Sequence, residues 1–125
     1  MIIAIDFDGT CVTHEYPKMG KDIGAVPVLR EIVSNDHSLI LLTMRCDMFL
    51  ADAVRWFVEN GIPLRSINHN PDQRKWTSSP KVYAHLYIDD AGLGIPLLYD
   101  SDVCSRPYVD WAQVRNHLLV RGVIK

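Results

Sequence analysis

Cysteine is scarce in this sequence: Cys11, Cys46 and Cys104 are the only three in 125 residues, and no two form a C-x-x-C pair. An odd, scattered set excludes a disulfide framework and a zinc cluster and fits a reducing compartment, so a cytoplasmic location is expected. No apolar run approaches the roughly 18 residues of a membrane helix. The apolar opening Met1–Ile5 meets Asp6 after five residues, without the basic flank or length of a signal peptide. No membrane partner is therefore expected. An excess of one charge is also missing, since 13 Lys and Arg stand against 15 Asp and Glu. Such a balance gives no global electrostatic footprint for nucleic acid or anionic lipid. There is no internal repeat, low-complexity stretch or linker, and the length fits one domain over residues 1–125.

What is present is an alternation of short apolar runs and helical stripes. Ile2–Ile5 is continuously apolar and mostly β-branched, which reads as a strand buried on both faces. Polar, broken sequence follows from Gly9 to Gly24. A helix is expected to open near Pro27 and end near Asn35, with Val28, Leu29, Ile32 and Val33 as its stripe. Leu39–Leu42 reads as a second strand, ending in Thr43. Met48–Asn60 reads as a helix with Leu50, Val54, Phe57 and Val58 on one face and Gly61 as its stop. A weak strand near Ile67, a polar segment over 68–79, and a strand at His85–Ile88 follow. Asp110 with Gln113 three residues on forms a capping-box pattern opening a last helix through Val114, Leu118 and Leu119. Strands alternating with helices predict right-handed crossovers and an α/β fold, a single Rossmann-like three-layer domain with a mainly parallel sheet. In such folds ligands gather beyond the carboxyl ends of the strands, which is where Asp6, Thr43 and Asp89 fall.

Asp6 and Asp8 are two apart, so on extended backbone their side chains point the same way while Phe7 points into the core. Two carboxylates leaving one strand end repel each other unless a cation lies between them, and hard magnesium suits oxygen donors. Gly9 then permits a turn closed to other residues, and Thr10 can fix it by a local hydrogen bond.

The run Asp6-Phe7-Asp8-Gly9-Thr10 resembles the first motif of the haloacid dehalogenase superfamily, in its phosphatase branch. Thr43 at the end of Leu39–Leu42 resembles the second motif, Lys81 the third, and Asp89-Asp90 after Leu86-Tyr87-Ile88 the fourth. The matches run in the superfamily's order over residues 2–90. The resemblance implies magnesium-dependent phosphomonoester hydrolysis through an aspartyl-phosphate on Asp6, with Asp8 as general acid and base. It also implies donors and cations for the phosphoryl oxygens, Thr43 and Lys81 here, and a Mg2+ site built from Asp6, Asp8 through its backbone carbonyl, Asp89 and Asp90. Lys75, six residues before Lys81, is a rival for the lysine. Arg45, two residues past Thr43, is a candidate clamp for a second anionic group of the substrate, against the alternative of a surface salt bridge.

Other residues carry weaker signals. His69 stands after the third strand, where it reads either as a mouth residue or as a hydrogen-bonded loop histidine. Trp56, Trp76 and Trp111 are assigned to packing. Many phosphatases of the superfamily carry a cap domain that selects substrate, and no room for one is found here. The residues 11–24 as a flap, a neighbouring subunit in a homo-oligomer, or a large substrate would then have to close the site. A phosphorylated small molecule is the expected partner, with a polynucleotide end as the alternative. Two other functions stay in view. A receiver-like signalling module would place adjacent acids after its first strand and an Asp after its third, which this chain does not. A magnesium-binding scaffold without turnover would keep the same ligands.

Overall fold

A central β1, Ile2–Ile5, organises the fold of the computed structural model, which describes residues 1–125. Ile3, Ala4 and Ile5 are each at most 1% exposed, as a continuous apolar run in the middle of a parallel sheet requires. The sheet has the order β3-β2-β1-β4, all parallel, with β2 at Ser38–Leu41, β3 at Ser66–Ile67 and β4 at Leu86–Ile88. Three helices flank it: α1 (Ala25–Ser34), α2 (Asp47–Glu59) and α3 (Trp111–Val120). The α/β, single Rossmann-like expectation therefore stands.

The large core cluster draws Ile3, Ile5, Leu39 and Leu41 from one sheet face together with Leu29 and Ile32 of α1, Phe57 of α2, and Val114 and Leu118 of α3. A doubly hydrogen-bonded ion pair, Arg115 to Glu31 at 2.7 and 3.1 Å, links α3 to α1. It holds the Glu31 carboxyl below its ordinary range. α1 begins two residues before Pro27, which leaves the proline inside the first turn where its missing N–H costs nothing. Asp110 caps α3 by accepting from the Gln113 amide at 3.2 Å, as the capping pattern predicts.

Two features lie outside the sequence reading. β5 (Leu97–Leu98) and β6 (Tyr108–Val109) form an antiparallel hairpin between Gly92 and Asp110, a stretch with no periodic signal in the sequence. Residues 68–85 hold only a short 3-10 turn, Gln73–Lys75, whose Gln73 is buried and bonds the carbonyls of Ser79 and Lys81. No second folded unit stands between Thr10 and α1, where only isolated bridges pair Val12 with Asp8 and Asp22.

Candidate active site

Strand register builds the site. Ile5 pairs with Leu41 on one side and Ile88 on the other, so β1, β2 and β4 end level. The residues just beyond are Asp6, the Leu42-Thr43 pair, and Asp89. The ladder carries one step further, with the Asp6 amide donating to the Ile88 carbonyl and the Leu42 amide to that of Ile5. β1 is also where the strand order reverses, the place at which parallel sheets open a crevice.

Single oxygens of Asp6, Asp89 and Asp90 lie within 4.8 Å of one another. Thr10 ties this group together. Its buried hydroxyl donates to Asp6 Oδ2 at 2.8 Å and accepts from the Asp90 amide at 3.0 Å, a residue 80 positions away. Trp111, also buried, donates from Nε1 to the Thr10 carbonyl at 2.7 Å and so fixes the same turn from α3. Gly9 has φ +81°, and a Cβ there would stand 2.4 Å from Asp90 Oδ2. Both the backbone and the close approach of Asp90 therefore demand glycine.

The crowding of acids has an electrostatic signature. Burial, then the hydrogen bond with Asp90, push Asp6 up to about 8; the Thr10 hydrogen bond works against them, and the charge of Asp89 adds a smaller rise. Burial likewise raises Asp89, with Asp90 adding to it, while the Ala91 amide works in the other direction. Three oxygen donors that repel one another suit a hard divalent cation, so the residues present fit magnesium.

Asp8 is expected to meet the metal through its backbone carbonyl, which leaves its side chain to other partners. Its carboxylate is turned to Arg45, which donates from Nε and Nη2 at 2.8 and 2.7 Å, and it is not one of the three converging carboxylates. Arg45 is in turn not a clamp for substrate. Besides Asp8 it bonds the carbonyls of Pro17, Lys18 and Phe49, which engages all five guanidinium hydrogens. It is 2% exposed and packs against the rings of Phe7 and Tyr16, so it is no surface salt bridge either. Its role is to bind Asp8, the segment 16–18 and the start of α2 into one unit.

Asp6, Asp8, Thr43, Arg45, Asp89 and Asp90 line an open cleft of about 420 Å³, with His14, Tyr16, Met44 and Arg106 also in its walls. The structure does not bring Lys81 or Lys75 into it. Both are exposed and neither lines the cleft, and the Lys81 carbonyl accepts from the Gln73 side chain at 2.9 Å. Thr43 sits as expected, with a partner the sequence did not announce. The Asn68 side chain accepts from the Thr43 amide at 2.9 Å and donates to its carbonyl at 3.1 Å, from backbone at φ 56°. Thr43 Oγ1 accepts from the Arg45 amide, leaving its hydroxyl hydrogen free for the cleft.

The remaining signals resolve simply. His69 lies outside the cleft, with Nδ1 at 2.9 Å from the Ile67 carbonyl. It borders a larger groove of about 700 Å³ between α2 and β3, which is mostly apolar and has no carboxylate in its lining. Cys11 is buried with Sγ on the Asp6 carbonyl, and burial beside Asp6 and Asp8 drives its thiol up, away from any nucleophilic form. Trp56 and Trp111 pack as expected, whereas Trp76 is 65% exposed and meets only Tyr83 edge-on. No helix is long and apolar enough to cross a membrane.

No family model matches the sequence, and no curated protein matches it. A conserved protein of Bacteroides thetaiotaomicron has a solved structure similar to this one, with 32% sequence identity and a TM-score of 0.78 over 97% of this chain and 91% of that chain.

Proposed function

We propose that this chain, which belongs to one family with the conserved Bacteroides thetaiotaomicron protein, is a magnesium-dependent phosphomonoester hydrolase of the haloacid dehalogenase type, with Asp6 as its nucleophile. The observation that carries the reading is the convergence of Asp6, Asp89 and Asp90 at level strand ends, held by Thr10 across 80 residues. Such a cluster is costly to bury unless a cation completes it.

Asp6, Asp89 and Asp90 would hold magnesium, which when bound neutralises charge on the acids and on a phosphate ester. The chain's own groups do the rest. Asp6 Oδ attacks phosphorus, the ester oxygen leaves, and water later hydrolyses the aspartyl-phosphate to regenerate the carboxylate. Thr43 donates its hydroxyl hydrogen to a phosphoryl oxygen. Asp8 handles the proton: it gives one to the leaving oxygen and takes one from the attacking water. Because both Asp8 oxygens accept from Arg45, donating a proton requires one of them first to leave the fork.

That fork favours a second reading, a magnesium-binding domain without turnover, because it commits the proton-handling group to a structural bond. The two readings separate by acid-quenched mass spectrometry of the protein mixed with magnesium and an aryl phosphate. A phosphoryl adduct on the peptide bearing Asp6 is the expected result. Magnesium uptake with no adduct and no released alcohol sinks the hydrolase reading.

A further inference from the structure

Phosphoryl transfer requires positive charge at the equatorial oxygens beyond what one divalent ion supplies. The cleft contains two guanidinium groups and no lysine. Arg45 has no free donor. Lys21, on the neighbouring loop, donates Nζ to the Val103 carbonyl at 2.7 Å. Arg106 is left: it is exposed, lines the cleft with Asp6 and Asp90, and its hydrogen-bond contact within the chain is Nη1 to His14 Nδ1 at 3.3 Å. Arginine can only donate, so Nδ1 is the acceptor in this contact.

We infer that Arg106, steadied by His14, receives the phosphoryl oxygens of the substrate in the place the sequence reading gave to Lys81. The inference rests on the hydrolase reading above and adds the anion receptor that reading lacks. Its position is built rather than incidental. Arg106 lies near the end of the connection from β5 to β6, two residues before buried Tyr108, which pairs with Leu98. The next residue, Val109, donates its amide to the Gly9 carbonyl at 3.1 Å, within the turn that carries Asp8 and Thr10. The same connection is tied to the 11–24 loop through Lys21 on Val103 and through Cys104 Sγ on the His14 carbonyl at 3.7 Å. Arg106 and His14 are thus placed by the backbone that places the nucleophile. A guanidinium fork in this position also suits the dianion of a phosphomonoester better than a point charge does.

Calorimetric titration of inorganic phosphate into the magnesium-saturated full chain tests this, comparing wild type with Arg106→Gln, Arg106→Lys, Lys75→Gln and Lys81→Gln. Arg106→Gln is expected to bind phosphate about tenfold to a hundredfold more weakly, the loss typical of a charge-assisted hydrogen bond. Arg106→Lys should recover part of that loss, and the two lysine variants should bind like wild type. Unchanged binding in Arg106→Gln, or the loss appearing in Lys81→Gln or Lys75→Gln instead, overturns the role of Arg106 and leaves the hydrolase reading intact. A wild type that takes up magnesium but no phosphate overturns both.

Discussion

Arg45 donates to both carboxylate oxygens of Asp8, at 2.7 and 2.8 Å, across 37 residues of sequence. The pair is nearly dry, with side-chain exposures of 0% and 12%. Removing one partner of such a pair strands the other. Arg45→Met should therefore destabilise the protein by about 3 kcal/mol, the lower part of the range for broken buried pairs because Asp8 keeps some solvent contact. Replacing both, as in Arg45→Met with Asp8→Leu, should return much of that loss. Urea midpoints of the three variants measure it. Additive losses in the double variant would show that the two side chains do not act as a pair.

Thr10 gives a second prediction. Thr10→Val keeps the shape and removes the hydroxyl, leaving the Asp90 amide and Asp6 Oδ2 without their partner. A loss of about 1–3 kcal/mol is expected, the cost of an unsatisfied buried group. Magnesium affinity should fall with it, because Asp6 and Asp90 lose their common tie. Thermal melts with and without magnesium report both effects.

The raised Asp6 pKa fixes the sign of a pH effect in the metal-free protein. The folded state holds this proton up to about 8, whereas the ordinary carboxyl releases it near 3.8. The folded chain therefore binds more protons than the unfolded one between those values, and the contribution of Asp6 to stability falls as pH rises through that window. Asp6→Asn removes the titration. Metal-free Asp6→Asn should match wild type near pH 4 and exceed it in stability near pH 8, although it is expected to be inactive. Added magnesium should reverse the order at pH 8. Equal melting temperatures for the two proteins at pH 8 without metal would contradict the burial of Asp6 among acids.

Gly9→Ala introduces both a strained left-handed residue and a Cβ 2.4 Å from Asp90 Oδ2. Asp90 must move, so magnesium affinity should drop about tenfold or more, as when a supporting contact of a metal ligand is lost. A calorimetric magnesium titration of Gly9→Ala against wild type measures it.

Much of the fold was legible because its signals are local. Ile2–Ile5 announces a buried strand by composition, α3 announces its start at Asp110, and Asp6 and Asp89-Asp90 lie one step past apolar runs. What escaped depends on residues far apart in sequence. Nothing near Arg45 signals that its five donors end on Asp8 and three carbonyls. Nothing near Asn68 signals that it brackets Thr43. The β5–β6 hairpin has two-residue strands with no alternation to detect, so Arg106 at its loop end carried no mark. Lys81 differs for another reason: its order in the chain fits, but order does not fix where an irregular segment runs, and Lys81 is not among the residues lining the cleft.

The central claim, that Asp6 and magnesium together hydrolyse a phosphomonoester, is tested most directly by aryl phosphate turnover in wild type and Asp6→Asn, each with magnesium and with chelator. The account predicts release of the aryl alcohol by wild type with magnesium alone, and no release in the other three combinations. Turnover that survives the chelator, or persists in Asp6→Asn, would contradict it.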